Sequence, residues 1–422
     1  MRFAPQTSLP PAPGGFVHMT RKEQMMKIRS VDEIPLKGKK AFVRVDFNVP
    51  LTERGEVAED HRIRAVLPTL RYILEQGGRA VVASHLGRPK GKPDPSMSLA
   101  PAARALEKLL GRSVKLAPDC IGPEVEKMAE ELRAGEVLML ENLRFHAEEE
   151  KNDPGFAKAL SSLADLYVND AFAASHRAHA SVDGMTRYVS TCAAGFLMKK
   201  ELDYFHRTME APERPLVAVL GGAKVSTKLP ILKRFASRVD RMIIGGAMAN
   251  TFLKSMGLDL GASLVEKDLL KEALEVLEAA RERGVQVYLP VDFVVAERME
   301  AGTATKVVAR DKVPSGWIAF DVGPESRKQF AEALKGARTI IWNGPLGAFE
   351  TQGFEGGTMA MAESVAKSSA VSVVGGGDTD RAVHVAGKAD AISYISTGGG
   401  AFLELLEGRT LPGVKALETC GK

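Results

Sequence analysis

Cysteine is scarce in this sequence: Cys120, Cys192 and Cys420 are the only three among 422 residues. They form no C-x-x-C pair and no dense framework, which excludes a disulfide-stapled scaffold and favours a reducing compartment, the cytoplasm. An excess of one charge is also missing. The 57 Lys and Arg against 53 Asp and Glu leave a net charge of +4, with no long basic run, so no nucleic-acid partner is expected. No apolar stretch approaches the ~20 residues that span a bilayer, so no membrane role is expected either. Several motifs are absent as well. Without G-x-x-x-x-G-K-[ST] the chain is no P-loop protein, and without H-R-D and D-F-G it is no protein kinase. No G-x-G-x-x-G turn follows a strand, which argues against a nicotinamide-dependent dehydrogenase. No H-E-x-x-H or comparable spacing offers a zinc site.

What is present reads as a soluble globular protein, 45% hydrophobic and 26% charged. The length exceeds one ordinary core and predicts two domains. Residues 1–26, rich in Pro and Gly and without amphipathic period, read as a disordered N-terminal extension; they lack the apolar core of a secretory signal. Patterned sequence follows. Short β-branched runs alternate with helical stretches, eleven strands in all, beginning with 40–45, 79–83, 113–116, 136–140 and 163–168. The second half adds 216–220, 241–244, 285–289, 339–342, 371–374 and 392–395. That alternation predicts an α/β fold of two doubly wound parallel sheets, Rossmann-like, with helices on both faces. The join falls at 194–215, where a helical stretch, 197–209, runs into Ala-Pro-Glu-Arg-Pro.

Ligands of such folds bind at the carboxyl ends of strands. In the second half five strands end in glycine turns: Gly221-Gly222, Gly245-Gly246, Gly344, Gly375-Gly376-Gly377 and Gly398-Gly399-Gly400. Glycine lets backbone approach a ligand, and helix starts aim N–H groups at anions, so several such turns on one edge predict a polyphosphate site. Lys224 and Lys228, spaced by four, read as one helical turn apart and facing the same phosphates. Asp378, among the last glycines, suits Mg²⁺ held beside a polyphosphate.

The first half delivers arginine and histidine instead: Arg44 and Asp46 to Asn48, Arg62, Ser84 to Arg88, Arg144 to His146, and His176 to His179. Convergent guanidinium groups suit a small, highly charged anion. Arg44 reads as internally paired, and His146 and His179 as ordinary satisfied polar groups.

These blocks together resemble the phosphoglycerate kinases. The resemblance runs from about Lys27 to Leu417 and is carried by Arg-Val-Asp-Phe-Asn-Val-Pro, His-Leu-Gly-Arg-Pro, Glu-Asn-Leu-Arg-Phe, His-Arg-Ala-His, Leu-Gly-Gly-Ala-Lys-Val, Trp-Asn-Gly-Pro, Gly-Gly-Gly-Asp-Thr and Ser-Thr-Gly-Gly-Gly-Ala. It implies transfer of a phosphoryl group from 1,3-bisphosphoglycerate to ADP, giving 3-phosphoglycerate and ATP, with Mg²⁺. It implies that Asp46, Phe47, Asn48, Arg62, His85, Leu86, Gly87, Arg88, Arg144 and Arg177 hold the phosphoglycerate. Lys224, Lys228, Ala319, Glu350, Gly376, Gly377, Asp378 and Thr379 fall to the nucleotide, with Asp378 on the metal. The expected division is 27–196 for the phosphoglycerate, with 411–422 returning to it, 197–214 as a helical hinge and 215–410 for the nucleotide. Arg62, Lys224 and the amides near Gly398 are the expected stabilisers of the migrating group. A monomer that closes about its hinge is expected. The competing reading, an inactive homologue that only binds nucleotide or serves as a scaffold, requires loss of a charged site residue, and all are present.

Overall fold

The protein's structure, a computed structural model, describes residues 28–421. The N-terminal extension expected over 1–26 lies outside the described residues.

Two six-stranded parallel sheets dominate. The first contains β1 (Lys40–Arg44), β2 (Arg79–Ala83), β3 (Val114–Leu116), β4 (Val137–Met139), β5 (Leu166–Asn169) and β6 (Cys192–Ala194), in the order β3-β4-β2-β1-β5-β6. The second contains β7 (Leu216–Leu220), β8 (Arg241–Ile244) and β9 (Gln286–Tyr288). Beyond a small antiparallel sheet of β10 (Asp292–Ala296), β11 (Lys306–Ala309) and β12 (Ile318–Val322), it continues with β13 (Thr339–Asn343), β14 (Val371–Val374) and β15 (Tyr394–Ile395). Its order is β15-β14-β13-β7-β8-β9. Central strands are buried on both faces, as β7 and β13 are throughout, because helices cover each sheet twice. The helix His61–Glu75 shows how. Ile63, Val66, Leu67, Leu70, Ile73 and Leu74 recur at helical spacing and are its buried apolar stripe.

Strand order fixes where ligands can sit. In the first sheet the chain winds one way from β1 to β2 and the other way through β5. In the second it winds one way from β7 to β8 and the other through β13. Each reversal leaves a crevice at the carboxyl ends of the central pair. The glycines of the second sheet are needed there. A side chain on Gly221 would collide with the Pro345 carbonyl, and one on Gly246 with the backbone of Gly222.

The helix Phe196–Phe205, prolonged by a π turn over His206–Glu210, joins the two sheets. Met198, Leu202, Phe205 and Met209 belong to one apolar cluster that also contains Phe42 and Val81 of the first sheet and Ala218 and Leu220 of the second. The chain crosses back once more. After the helix Gly400–Glu407, the final helix Pro412–Thr419 lies on β6, where the Gly413 amide donates to the Ser175 carbonyl at 2.9 Å.

The sequence reading needs three corrections. Cys192 and Cys420 are joined by a disulfide across 228 residues of sequence, so the cysteines are not all unpaired. Folding brings their Cα atoms to 6.0 Å, a proximity that spacing does not reveal. Among the described residues there are fifteen strands rather than eleven, the additions being β6 and the antiparallel sheet. Lys224 and Lys228 do not share a helix: the chain turns through 224–228, and Lys228 only caps the helix Leu229–Phe235.

Candidate active site

The first-sheet crevice opens into a cavity of about 290 Å³ lined by Asp46, Asn48, Arg62, His85, Gly87, Arg88, Arg144, His176 and Arg177. The turn Thr397–Gly400, from beyond β15, closes its other side. Strand ends place these groups. Asp46 follows β1, accepts the Asn48 amide at 3.0 Å and pairs with Arg62 at 3.1 Å. Burial opposes its charge, but His85, Arg62 and the Asn48 amide hold the carboxyl below its ordinary value. Asn48 Oδ1 accepts the Gly87 amide at 2.9 Å, locking the loops after β1 and β2 together.

Arg144 is almost wholly buried. It donates to the Gly87 carbonyl at 2.8 Å and stands 3.2 Å from Glu150. Burial, opposed by Glu150 and reinforced by Arg177 and Arg44, lowers it to about 10, so it stays charged at neutral pH. Among the described residues, neither Arg88 nor Arg177 pairs with a carboxylate, and Arg177 donates only to the His176 ring at 3.1 Å. Unneutralised guanidinium groups at one cavity make an anion receptor. Burial drives the His85 ring well below the ordinary imidazole value, with Asp46 opposing and Arg44, Arg144 and Arg177 adding to the effect. His176 shifts the same way, for burial and then Arg177. Both rings are neutral at pH 7. Arg44 is internal, donating to Ser181 at 2.8 Å and to the Val45 carbonyl, with His85 Nδ1 at 3.3 Å. His146 pairs with Asp119 at 2.7 Å, and His179 lies 3.8 Å from Glu149.

Phe47 and Leu86 do not offer side chains to this cavity. Both are buried in the apolar cluster behind the first sheet, as the alternation of side chains around their polar neighbours requires.

The second-sheet crevice opens into a slot of about 300 Å³. Its walls are Gly222, Ala223, Gly246 and Ala247 on one side and Ile318, Ala319 and Phe320 of β12 on the other, with the carboxylates of Glu350 and Asp378 in its lining. A flat heterocycle fits between such walls, and Glu350 can accept hydroxyl groups. Gly376 caps the helix Gly377–Val385 at a φ of 97°, which favours glycine, and Asp378 stands exposed in its first turn. Thr379 is buried and accepts the Gly344 amide at 2.7 Å, tying this helix start to the β13 turn. Lys228 donates to the Asn343 carbonyl at 2.9 Å; burial, opposed by Asp378, lowers it to about 8. Lys224 is exposed and lines neither cavity.

A metal fits at Asp378 by the chemistry of the donor: one exposed carboxylate oxygen beside a phosphate-sized helix start is what Mg²⁺ takes together with phosphate and water. Asp119, Cys120 and His146 cluster elsewhere, around their own 2.7 Å hydrogen bond.

Two buried carboxylates that anchor the joining helix, one on it and one packed at its start, went unread in the sequence. Glu201 accepts from Ser396 Oγ, the Thr397 amide and Thr397 Oγ1, each at 2.8 Å, and so holds the turn that closes the anion cavity. Burial raises it despite these bonds. Asp170, after β5, accepts the Met198 amide at 3.0 Å at the start of the same helix, and burial raises it to about 7. The readable signal was an acid at 201 on the stripe of Met198, Leu202 and Phe205.

An arginine-lined anion cavity and a glycine-walled slot, on separate sheets bridged by one helix, define a two-domain phosphotransferase. The family model for phosphoglycerate kinase matches residues 31–409. A phosphoglycerate kinase of Desulfotalea psychrophila is 60% identical over 391 residues, 93% of this chain and 100% of its own length. That of Geobacter metallireducens is 57% identical over 398 residues, 94% and 100%. Among solved structures, phosphoglycerate kinase from Coxiella burnetii superposes with a TM-score of 0.88 at 42% identity, covering 94% of this chain and 100% of that one. The Pyrococcus horikoshii enzyme gives 0.77 at 33% identity, covering 92% and 98%. The chain belongs to the phosphoglycerate kinase family.

Proposed function

We propose that this chain catalyses the reversible transfer of a phosphoryl group from 1,3-bisphosphoglycerate to ADP, giving 3-phosphoglycerate and ATP. The carrying observation is one cavity shared by Arg62, Arg88, Arg144 and Arg177 of the first sheet and the Thr397–Gly400 turn that follows the second. In this reading Arg88, Arg144 and Arg177, with Asn48 and His85, grip the phosphoglycerate, while Asp46 aims Arg62. The slot takes the nucleotide, its base against Ala319, its ribose toward Glu350 and its phosphates toward Lys228 and the Gly376–Thr379 helix start.

The attacking carboxylate of 3-phosphoglycerate, or terminal phosphate of ADP, is already ionised, so no general base is needed. The neutral imidazoles of buried His85 and half-buried His176 agree with that. What remains is alignment and charge neutralisation. Arg62 faces the cavity between the two sheets and is assigned to the migrating group. Lys224, exposed in this arrangement, reaches that group only if the halves close about the joining helix, which also excludes water. The Gly398 amide already donates to Ser396 Oγ at 3.1 Å, so the donors assigned at this turn are the amides of Gly399 and Gly400. Asp378 would hold Mg²⁺ together with the nucleotide, and the ion would supply neutralisation of phosphate charge.

The proposed enzyme is a monomer acting in the cytoplasm, where its phosphorylated substrates are confined by their charge. Incubating it with MgATP and 3-phosphoglycerate, coupled to an NADH-consuming dehydrogenase specific for the acyl phosphate, tests the function. Steady NADH loss is expected. No turnover from protein that still binds MgADP would favour the scaffold reading.

A further inference from the structure

The Cys192–Cys420 bridge lies where the chain makes its second crossing between the sheets. Cys192 opens β6, the strand that runs through Gly195 into the joining helix. Cys420 follows the final helix Pro412–Thr419, and Leu411, Val414 and Leu417 sink into the same apolar cluster as Cys192 and Ala194. The other end of this helix touches Ser175, whose neighbours Ala174 and His176 line the anion cavity. Gly413 donates to the Ser175 carbonyl at 2.9 Å, and a Cβ there would come within 2.7 Å of Ser175 Oγ and 2.8 Å of Val182. The next two residues, His176 and Arg177, line the cavity.

The two sulfurs are unequally sheltered. Cys192 is buried, whereas Cys420 is partly exposed near the chain's end. The third cysteine cannot compete. Cys120 is fully buried, and burial followed by Asp119 pushes its thiol well up, leaving little thiolate.

We infer that Cys192 and Cys420 form a thiol–disulfide exchange site whose state sets how firmly the final helix holds the Ser175–Arg177 segment of the anion cavity. The co-reactant is a dithiol reductant in one direction and a disulfide oxidant in the other. In reduction a thiolate of the dithiol attacks Cys420 Sγ and breaks the Cys192–Cys420 bond, and Cys192 leaves as a thiolate that takes a proton. The second thiol of the reductant attacks the mixed disulfide and expels Cys420, which is protonated in turn. Two electrons pass, the dithiol becomes a cyclic disulfide, and the protein gains two thiols. Once opened, the helix loses its covalent tie to β6 and keeps its non-covalent contacts, among them its apolar face and the Gly413 bond.

The functional half of this inference rests on the reading that Arg177 binds 3-phosphoglycerate; the exchange chemistry does not. The full chain is equilibrated with dithiothreitol or with oxidised glutathione, alkylated and weighed. The reduced protein should carry two more alkylated thiols and melt about 5 °C lower, since a bridge closing so long a loop restrains the unfolded chain. Its KM for 3-phosphoglycerate should rise about threefold or more through misplacement of Arg177, with the KM for MgATP unmoved. Cys420→Ser, at the more exposed position, should behave as the reduced form in both buffers, and so should Cys192→Ala. Free thiols at both positions after oxidised glutathione would overturn the exchange site. A bridge that opens and lowers the melting temperature without moving the KM would overturn the link to the cavity, provided Arg177→Ala does raise that KM. If Arg177→Ala leaves the KM unchanged, the substrate reading fails instead, and the link to Arg177 falls with it.

Discussion

The anion cavity is lined by side chains from the segments that follow the strands of the first sheet, four of them guanidinium groups. Around the slot on the second sheet, the corresponding strand ends are glycines and alanines, and polar recognition falls to backbone and helix starts. One architecture thus makes two kinds of grip. Side chains suit a small ligand whose charge is concentrated, because Arg forks match its oxygens. Backbone suits a long ligand that must lie flat, because any Cβ at Gly221 or Gly246 would already strike its neighbours. The contrast also separates what each half can lose. Removing an arginine deletes charge and leaves shape; adding a side chain at a glycine deletes shape and leaves charge.

The largest expected effect is at Arg62, the cavity arginine assigned to the migrating group. Arg62→Ala should lower kcat by roughly a thousandfold, in line with other arginines that neutralise a transferring phosphoryl group, with both KM values moving much less. Arg62→Lys should recover only part of the rate. Steady-state kinetics with each substrate varied would break the assignment if saturated turnover stayed near wild type while the KM for 3-phosphoglycerate rose. Next is Arg177→Ala, expected to raise that KM by about tenfold or more, the worth of a charge-assisted hydrogen bond, with a much smaller fall in kcat than Arg62→Ala. Equal losses at both arginines would erase the distinction between gripping and catalysis.

Asp378→Asn tests the other half. MgADP affinity should fall by about tenfold while 3-phosphoglycerate affinity holds, measured by separate calorimetric titrations. Matching losses for both ligands would mean that the two grips are not independent. The smallest effect concerns pH. Burial raises Asp170 from 3.8 to about 7, so its neutral form is favoured in the folded chain. That contribution to stability is fully present below about pH 4 and is lost as pH rises through 7. The melting-temperature advantage of wild type over Asp170→Asn should therefore shrink between pH 4.5 and 8. A constant difference across that range would contradict the shift.

Much of this was legible in the sequence. β2, β7, β8 and β14 fall on the residues expected of them, because strands buried on both faces are continuous β-branched runs. The clustering of Arg62, Arg88, Arg144 and Arg177 was readable too, since motifs after successive parallel strands share one edge. What escaped lacked a local signal. β6 is Cys-Ala-Ala, too short and small to show a period, and β11 is largely exposed. Phe47 and Leu86 travelled with their polar neighbours as motif, yet side-chain alternation sends them to the core. Lys224 and Lys228 had helical spacing in a segment that turns. The pairing of Cys192 with Cys420 belongs to tertiary structure alone.

We propose that the two separately built grips meet by motion about the helix Phe196–Phe205. Small-angle scattering of the wild-type chain, alone, with 3-phosphoglycerate, with MgADP and with both, tests it most directly. The radius of gyration should fall most with both ligands present, as closure brings Lys224 toward the arginine cavity. An unchanged radius in the ternary complex, with both sites shown to be filled, would contradict it.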